Sequence, residues 1–181
     1  MTLNQWLLLA LLAVQVFWMV GAYNRLVTLR NAIGQAWSKV DEALRQRALA
    51  AEPLLATLRE PLAAEYGALD TAQAALAEVK RVATAMAARP VVAENAAAWV
   101  MAESQLSAAA SRLFSLLDHN AAWGQDEGVA GHMRHWRDAD ARLAFARQLF
   151  NEAAAAYNDA IGLLPTRLLV PMFRFGPAGR I

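Results

Sequence analysis

The sequence predicts an all-α protein, an N-terminal transmembrane helix that continues into an antiparallel, coiled-coil-like bundle of four helices. Three observations carry that prediction. Residues 3–23 read LNQWLLLALLAVQVFWMVGAY and contain no Asp, Glu, Lys or Arg. After them, apolar residues recur at seven-residue spacing in four long stretches, the signature of helices with one buried face. No stretch alternates apolar with polar residues or gathers enough Val, Ile or Thr to read as a strand. The chain divides into an anchor (1–23), a bundle (24–165) and an apolar, basic tail (166–181).

The anchor comes first. A helix rises ~1.5 Å per residue, so a run of this length crosses a ~30 Å hydrocarbon core. A buried core helix would show a polar face, and this run has none. A cleavable signal peptide is the other alternative, with Val20-Gly21-Ala22 as a small-residue cut site. Residues 1–5 hold no Lys or Arg, however, and the helical pattern runs on through the would-be cut.

The first bundle helix follows without a Gly or Pro cluster, so anchor and helix form one rod. Leu26, Ile33, Val40 and Arg47 make one seven-spaced row and Leu29, Ala36, Ala43 and Ala50 the second, with Trp37 and Leu44 beside them. Pro53 and Pro61 place a kink or the first reversal between Ala51 and Leu62. The second helix carries Leu62, Leu69, Leu76 and Ala83 with Ala72, Val79 and Met86, and stops at Arg89-Pro90. A third runs from Val92 to Asp118 on Trp99, Leu106 and Leu113 with Ala102, Ala109 and Leu116. Residues 119–131, with Gly124, Gly128 and Gly131, read as a loop. The fourth helix spans His132 to Leu164 on Leu143, Phe150, Tyr157 and Leu164, with Ala146, Ala153 and Ala160 between. Alanine-rich stretches such as 72–77, 108–110 and 153–156 favour helix and let neighbours approach closely.

Short connections make these four helices antiparallel neighbours. Arg89-Pro90 and Pro165 then lie at the anchor end and residues 119–131 at the far tip. The tail, TRLLVPMFRFGPAGRI from Thr166, has two readings. It lies in the membrane interface, with Arg167, Arg174 and Arg180 reaching phosphates, or it caps the open end of the core.

Composition excludes several functions. A net charge of +1 gives no electrostatic footprint for nucleic acid. The absence of cysteine excludes disulfides, thiol catalysis and thiolate metal sites, and leaves the redox compartment open. No Ser-His-Asp set, phosphate loop, zinc motif or convergent carboxylate pair is present, so no enzyme is expected.

Three groups of residues remain candidates for function. His132 and His135, one turn apart near Asp126, Glu127, Asp138 and His119, are the weak candidates for a metal site, short of ligands. His119, His132 and Trp136 would belong to any partner surface there. Tyr23-Asn24, Phe150-Asn151 and Tyr157-Asn158 meet at the anchor end, where Asn24 and Asn158 could bond across helices and fix register. Trp37 and Arg47 offer a partner surface, or Trp37 packs in the core.

Tyr23-Asn24-Arg25-Leu26-Val27, Ala36-Trp37-Ser38, Val40-Asp41, Leu44 and Arg47, and later Arg147, Phe150-Asn151, Tyr157-Asn158 and Leu164-Pro165, resemble the motifs of the LemA family of bacterial membrane-anchored helical proteins. Glu65 fits a glutamate expected between the two blocks. The stretch 67–135 resembles the family little. Where the family carries DLIPNLV, this chain reads Leu49-Ala50-Ala51-Glu52-Pro53-Leu54-Leu55. The resemblance implies a helical bundle on a single anchor, and it supplies no catalytic residue.

The expected function is therefore a scaffold at the bacterial inner membrane, working through other membrane proteins or self-association, with no cofactor and the lipid bilayer as its surface. A sensor bundle with a small ligand in a polar pocket is the alternative, and a metal-dependent enzyme the third. Arg25, Arg30 and Lys39 after the anchor favour a cytoplasmic bundle; a periplasmic bundle is the alternative, the usual arrangement for a single N-terminal anchor.

Overall fold

The computed structural model describes residues 2–59, 66–119, 123, 126–164, 166–173 and 175–181, without the side chains of Tyr66, Leu168 and Leu169. Pro61, Leu62, Glu65, Gly124, Pro165 and Arg174 lie outside the described residues. The protein is all-α. Among the described residues five helices follow one another: α1 (Leu3–Leu58), α2 (Tyr66–Ala88), α3 (Ala93–His119), α4 (Glu127–Gly162) and a short α5 (Thr166–Phe173).

α1 is a single helix of 56 residues, about 84 Å long at 1.5 Å per residue. Its start is capped by the Gln5 side chain, which accepts the Thr2 N–H at 2.8 Å. The apolar stretch within it is exposed but for half-buried Ala22, and the helix passes from it into the bundle without a break. Pro53 does not end the rod. The helix continues through it to Leu58, and Leu54, Leu55 and Leu58 beyond it are buried. That burial compensates for the one hydrogen bond a mid-helix proline removes.

α1 packs along α4, and α2 packs along α3. Leu26, Ile33, Ala36, Trp37, Val40, Ala43, Leu44 and Ala50 are buried on α1, as the seven-residue spacing requires. On α2 and α3, Ala72, Ala75, Ala109 and Ala110 are buried, small side chains where two helices approach closely. Large side chains fill the space between the two helix pairs. Trp37 meets Trp99 and Phe150 edge-on, with ring centroids 6.1 Å apart in each case. The α2–α3 turn is tight because Asn95 donates its side-chain amide to the carbonyls of Ala85 and Arg89, at 3.1 and 3.3 Å.

Two boundaries and one seam differ from expectation. α4 starts at Glu127, not His132, because Asp126 caps it by accepting the Val129 N–H at 2.9 Å. Gly128 and Gly131 are thereby held inside a helix, at about 1 kcal/mol each relative to alanine. α4 also ends at Gly162, so Leu164 leaves its seam and is 70 % exposed. On α3 the seam drifts: Leu117 is buried and Leu116 only partly, the slippage expected when a seven-residue repeat meets a 3.6-residue turn.

Phe150 is fully buried and packs edge-on against Trp37. Phe150→Ala removes a large core aromatic, at about 3–5 kcal/mol. The melting temperature followed by circular dichroism should fall sharply, and an unchanged melt would mean that the seam is misregistered.

Candidate functional site

The polar machinery of the bundle lies between α3 and α4, in two adjoining parts. The first is built on Arg47. It occupies a seam position on α1, so the helix period points it into the core, where it is 2 % exposed. A charge there must be paired. Glu103 on α3 takes the guanidinium with both oxygens, Nη2 donating to Oε2 at 2.8 Å and Nη1 to Oε1. Asp140 on α4 accepts from Nη1 at 3.2 Å. One arginine thus ties three helices together.

The two acids are not equivalent. Glu103 is the bidentate, deeply placed partner, with 12 % of its side chain exposed against 44 % for Asp140. Burial works against the charge on Arg47, but the hydrogen bonds and charges of Glu103 and Asp140 outweigh it and hold the guanidinium protonated. Burial pushes the Asp140 carboxyl above its ordinary range, and the neighbouring Glu103 charge adds to this, against the pull of Arg47. Arg47 Nε, Trp37 Nε1 and Trp99 Nε1 are buried without a hydrogen-bond partner among the described residues.

Above the triad a groove of about 590 Å³ opens between the helices, lined by Glu103, Ser104, Ser107 and Ser111 on one wall and Trp136, Asp140 and Arg147 on the other. Arg147 stacks its guanidinium over the Trp99 ring, 5.3 Å from the centroid. The groove is therefore lined by hydroxyls, two carboxylates and two guanidinium groups.

The second part is the tail. Residues 175–181 turn back between α4 and the first turns of α3. Phe175, Ala178 and Ile181 are buried. Asn158 donates to the Ala178 carbonyl at 3.0 Å and accepts the Ala178 N–H at 2.7 Å. Asn151 does the same for Ile181, at 2.6 and 2.8 Å. The tail thus caps the core through its last residues. α5, before it, lies against α1, with Phe173 and Phe175 centred 4.8 and 6.1 Å from the Tyr23 ring.

The predicted site residues separate accordingly. Asn24 and Asn158 do not bond: Asn158 holds the tail, and the Asn24 carbonyl accepts the Thr28 hydroxyl at 2.9 Å. Trp37 and Arg47 form no free surface, since both are buried. Tyr157 is core, and burial raises its phenol against the pull of Arg30. His132 is half-buried and His135 exposed, both inside α4 instead of at its start. No three metal-ligating side chains come together among the described residues. Sequence reasoning missed Glu103 and Asp140. The available signal was an acidic residue in an otherwise apolar row on each helix, Glu103 four after Trp99 and Asp140 four after Trp136.

Removing one partner of a buried pair costs about 3–5 kcal/mol. Arg47→Met should lower the melting temperature accordingly, and Arg47→Met with Glu103→Leu should recover most of the loss. The penalty carries a pH sign. A carboxyl whose affinity for protons is raised in the fold stabilises it when protonated and loses that contribution as pH rises. Asp140 is raised even with Arg47 present, so the Arg47→Met penalty should be larger at pH 8 than near pH 4. A penalty independent of pH would contradict the triad.

Comparison with curated proteins finds no match. The family model described as LemA family matches residues 36–180, which include Arg47, both of its acidic partners and both tail-holding asparagines, and the chain belongs to the LemA family.

Proposed function

We propose that this LemA-family protein is a single-pass membrane protein whose bundle works as an interaction or assembly scaffold at the bacterial inner membrane, without catalysis. The observation that carries the reading is the continuity of α1. A charge-free, exposed apolar stretch runs as one helix into a packed bundle, and lipid is the solvent that stretch fits. Leu163, Leu164, Met172 and Phe173 support it: all are exposed, and α5 meets α1 at Tyr23, where the apolar run ends. This apolar edge suits the headgroup boundary. Arg25, Arg30 and Arg167 beside it favour the cytoplasmic, anionic face.

The second reading is a sensor. It gains from the groove above Arg47, which is the polar, ligand-sized space such a function needs. An enzymatic role has no comparable support, and the histidines lack a third ligand among the described residues.

Full-length protein should pellet with membranes and resist carbonate extraction, and cross-linking in intact cells should attach other proteins, or further copies, to the bundle. Protease added to spheroplasts should leave the bundle intact. A soluble chain beginning at Tyr23 would overturn the anchor, and digestion without lysis would place the bundle outside.

A further inference from the structure

The tail is held as a peptide ligand is held. Each asparagine commits both functions of its amide to the N–H and C=O of one residue, so recognition is of main chain, as in strand addition. The two spacings match. Asn151 and Asn158 are two turns apart, ~10.5 Å along the helix. Ala178 and Ile181 are three residues apart, ~9.3 Å in a polyproline-type chain. The same three-residue period selects what is buried: Phe175, Ala178 and Ile181 face in, while Gly176, Pro177 and Arg180 face out.

Selectivity comes from the opposite wall. A Cβ on Gly179 would stand 2.5 Å from Ala96 Cβ and 2.9 Å from Ala93 Cα. Neither is the mobile end of a long side chain, so only glycine fits there. The tail leaves α4 through Leu163, whose backbone is extended. That non-helical joint after α4 is where an element can exchange between identical chains.

We propose that the cleft between α4 and the first turns of α3 is a peptide-binding site for an extended segment with glycine at the Gly179 position, and that its occupant in trans is the tail of a second copy. The complementarity to this tail is already satisfied in cis, down to the one glycine. Copies anchored in one membrane share depth and orientation, which raises their effective concentration. The inference rests on the assembly reading in that copies must meet on a membrane; tail exchange then links them.

Two full-length variants test it in phosphatidylcholine–phosphatidylglycerol vesicles. Gly179→Val keeps the cleft but cannot seat its own tail. Asn151→Ala with Asn158→Ala keeps the tail but loses the four hydrogen bonds. A donor dye at Glu94→Cys in the first and an acceptor at Arg180→Cys in the second report entry of the intact tail into the vacant cleft. Transfer should rise several-fold over a control in which the acceptor chain also carries Gly179→Val. Transfer at the control level overturns the exchange. In a second arm, a labelled peptide of residues 175–181 should bind Gly179→Val at least tenfold tighter than wild type, and lose that gain when Asn158→Ala is added. A folded Gly179→Val chain, by circular dichroism, that ignores the peptide overturns the site itself. Wild-type copies that still cross-link in those vesicles would preserve the assembly reading while this inference falls.

Discussion

The structure depends on α1 not breaking. Because the helix runs through Tyr23 and Asn24 into the bundle, the rotation of the apolar stretch and that of the seam are locked together. The residues at 26, 33, 40 and 47 then have no freedom to face elsewhere. α4 is laid against that seam along its length, and α5 and the tail close on α1 at Tyr23. A hinge after the apolar stretch would release each of these in turn. With none, a tilt of the apolar stretch becomes a displacement at the far end of the bundle, ~1.5 Å of lever per residue.

Within that frame, apolar packing supplies stability and two polar devices supply definition. Alanine-lined contacts between α2 and α3 are tolerant of sliding, since one small side chain resembles the next. Arg47 is not tolerant. It must find Glu103 and Asp140 together, and a slip of one turn in α1, α3 or α4 would strand a buried charge. A buried pair is poor evidence of stability but good at fixing one arrangement. The asparagine pair does the same for the tail, which has few side chains large enough to register it.

How far the sequence could be read follows from where each signal lies. The anchor and the four seams are local and periodic, so residues 26–50, 69–86, 99–113 and 143–160 showed their buried faces directly. The start of α4 was misjudged because glycine count outweighed one capping aspartate, Asp126. Arg47 was visible on a seam, but its partners sit 56 and 93 residues away and no local pattern joins them. Asn151 and Asn158 were visible as a seven-spaced pair beside buried aromatics. The partner of Asn158 was mistaken and that of Asn151 missed, because residues 175–181 follow a three-residue period that neither helix nor strand templates detect. The open groove beside Arg147 entered only as an alternative, because alanine-rich seams imply close helices.

The rigid coupling of apolar stretch to bundle can be measured directly, since a chain without cysteine accepts two spin labels at chosen sites. Phe17 and Gln46 are both exposed on α1, and a separation of 29 positions in the sequence spans about 44 Å in one straight helix. Phe17→Cys and Gln46→Cys, labelled in lipid nanodiscs, should give a single narrow distance distribution centred near that value by pulsed electron resonance. A broad distribution, or one centred well below it, would mean that the helix breaks at the membrane surface, and would contradict the account.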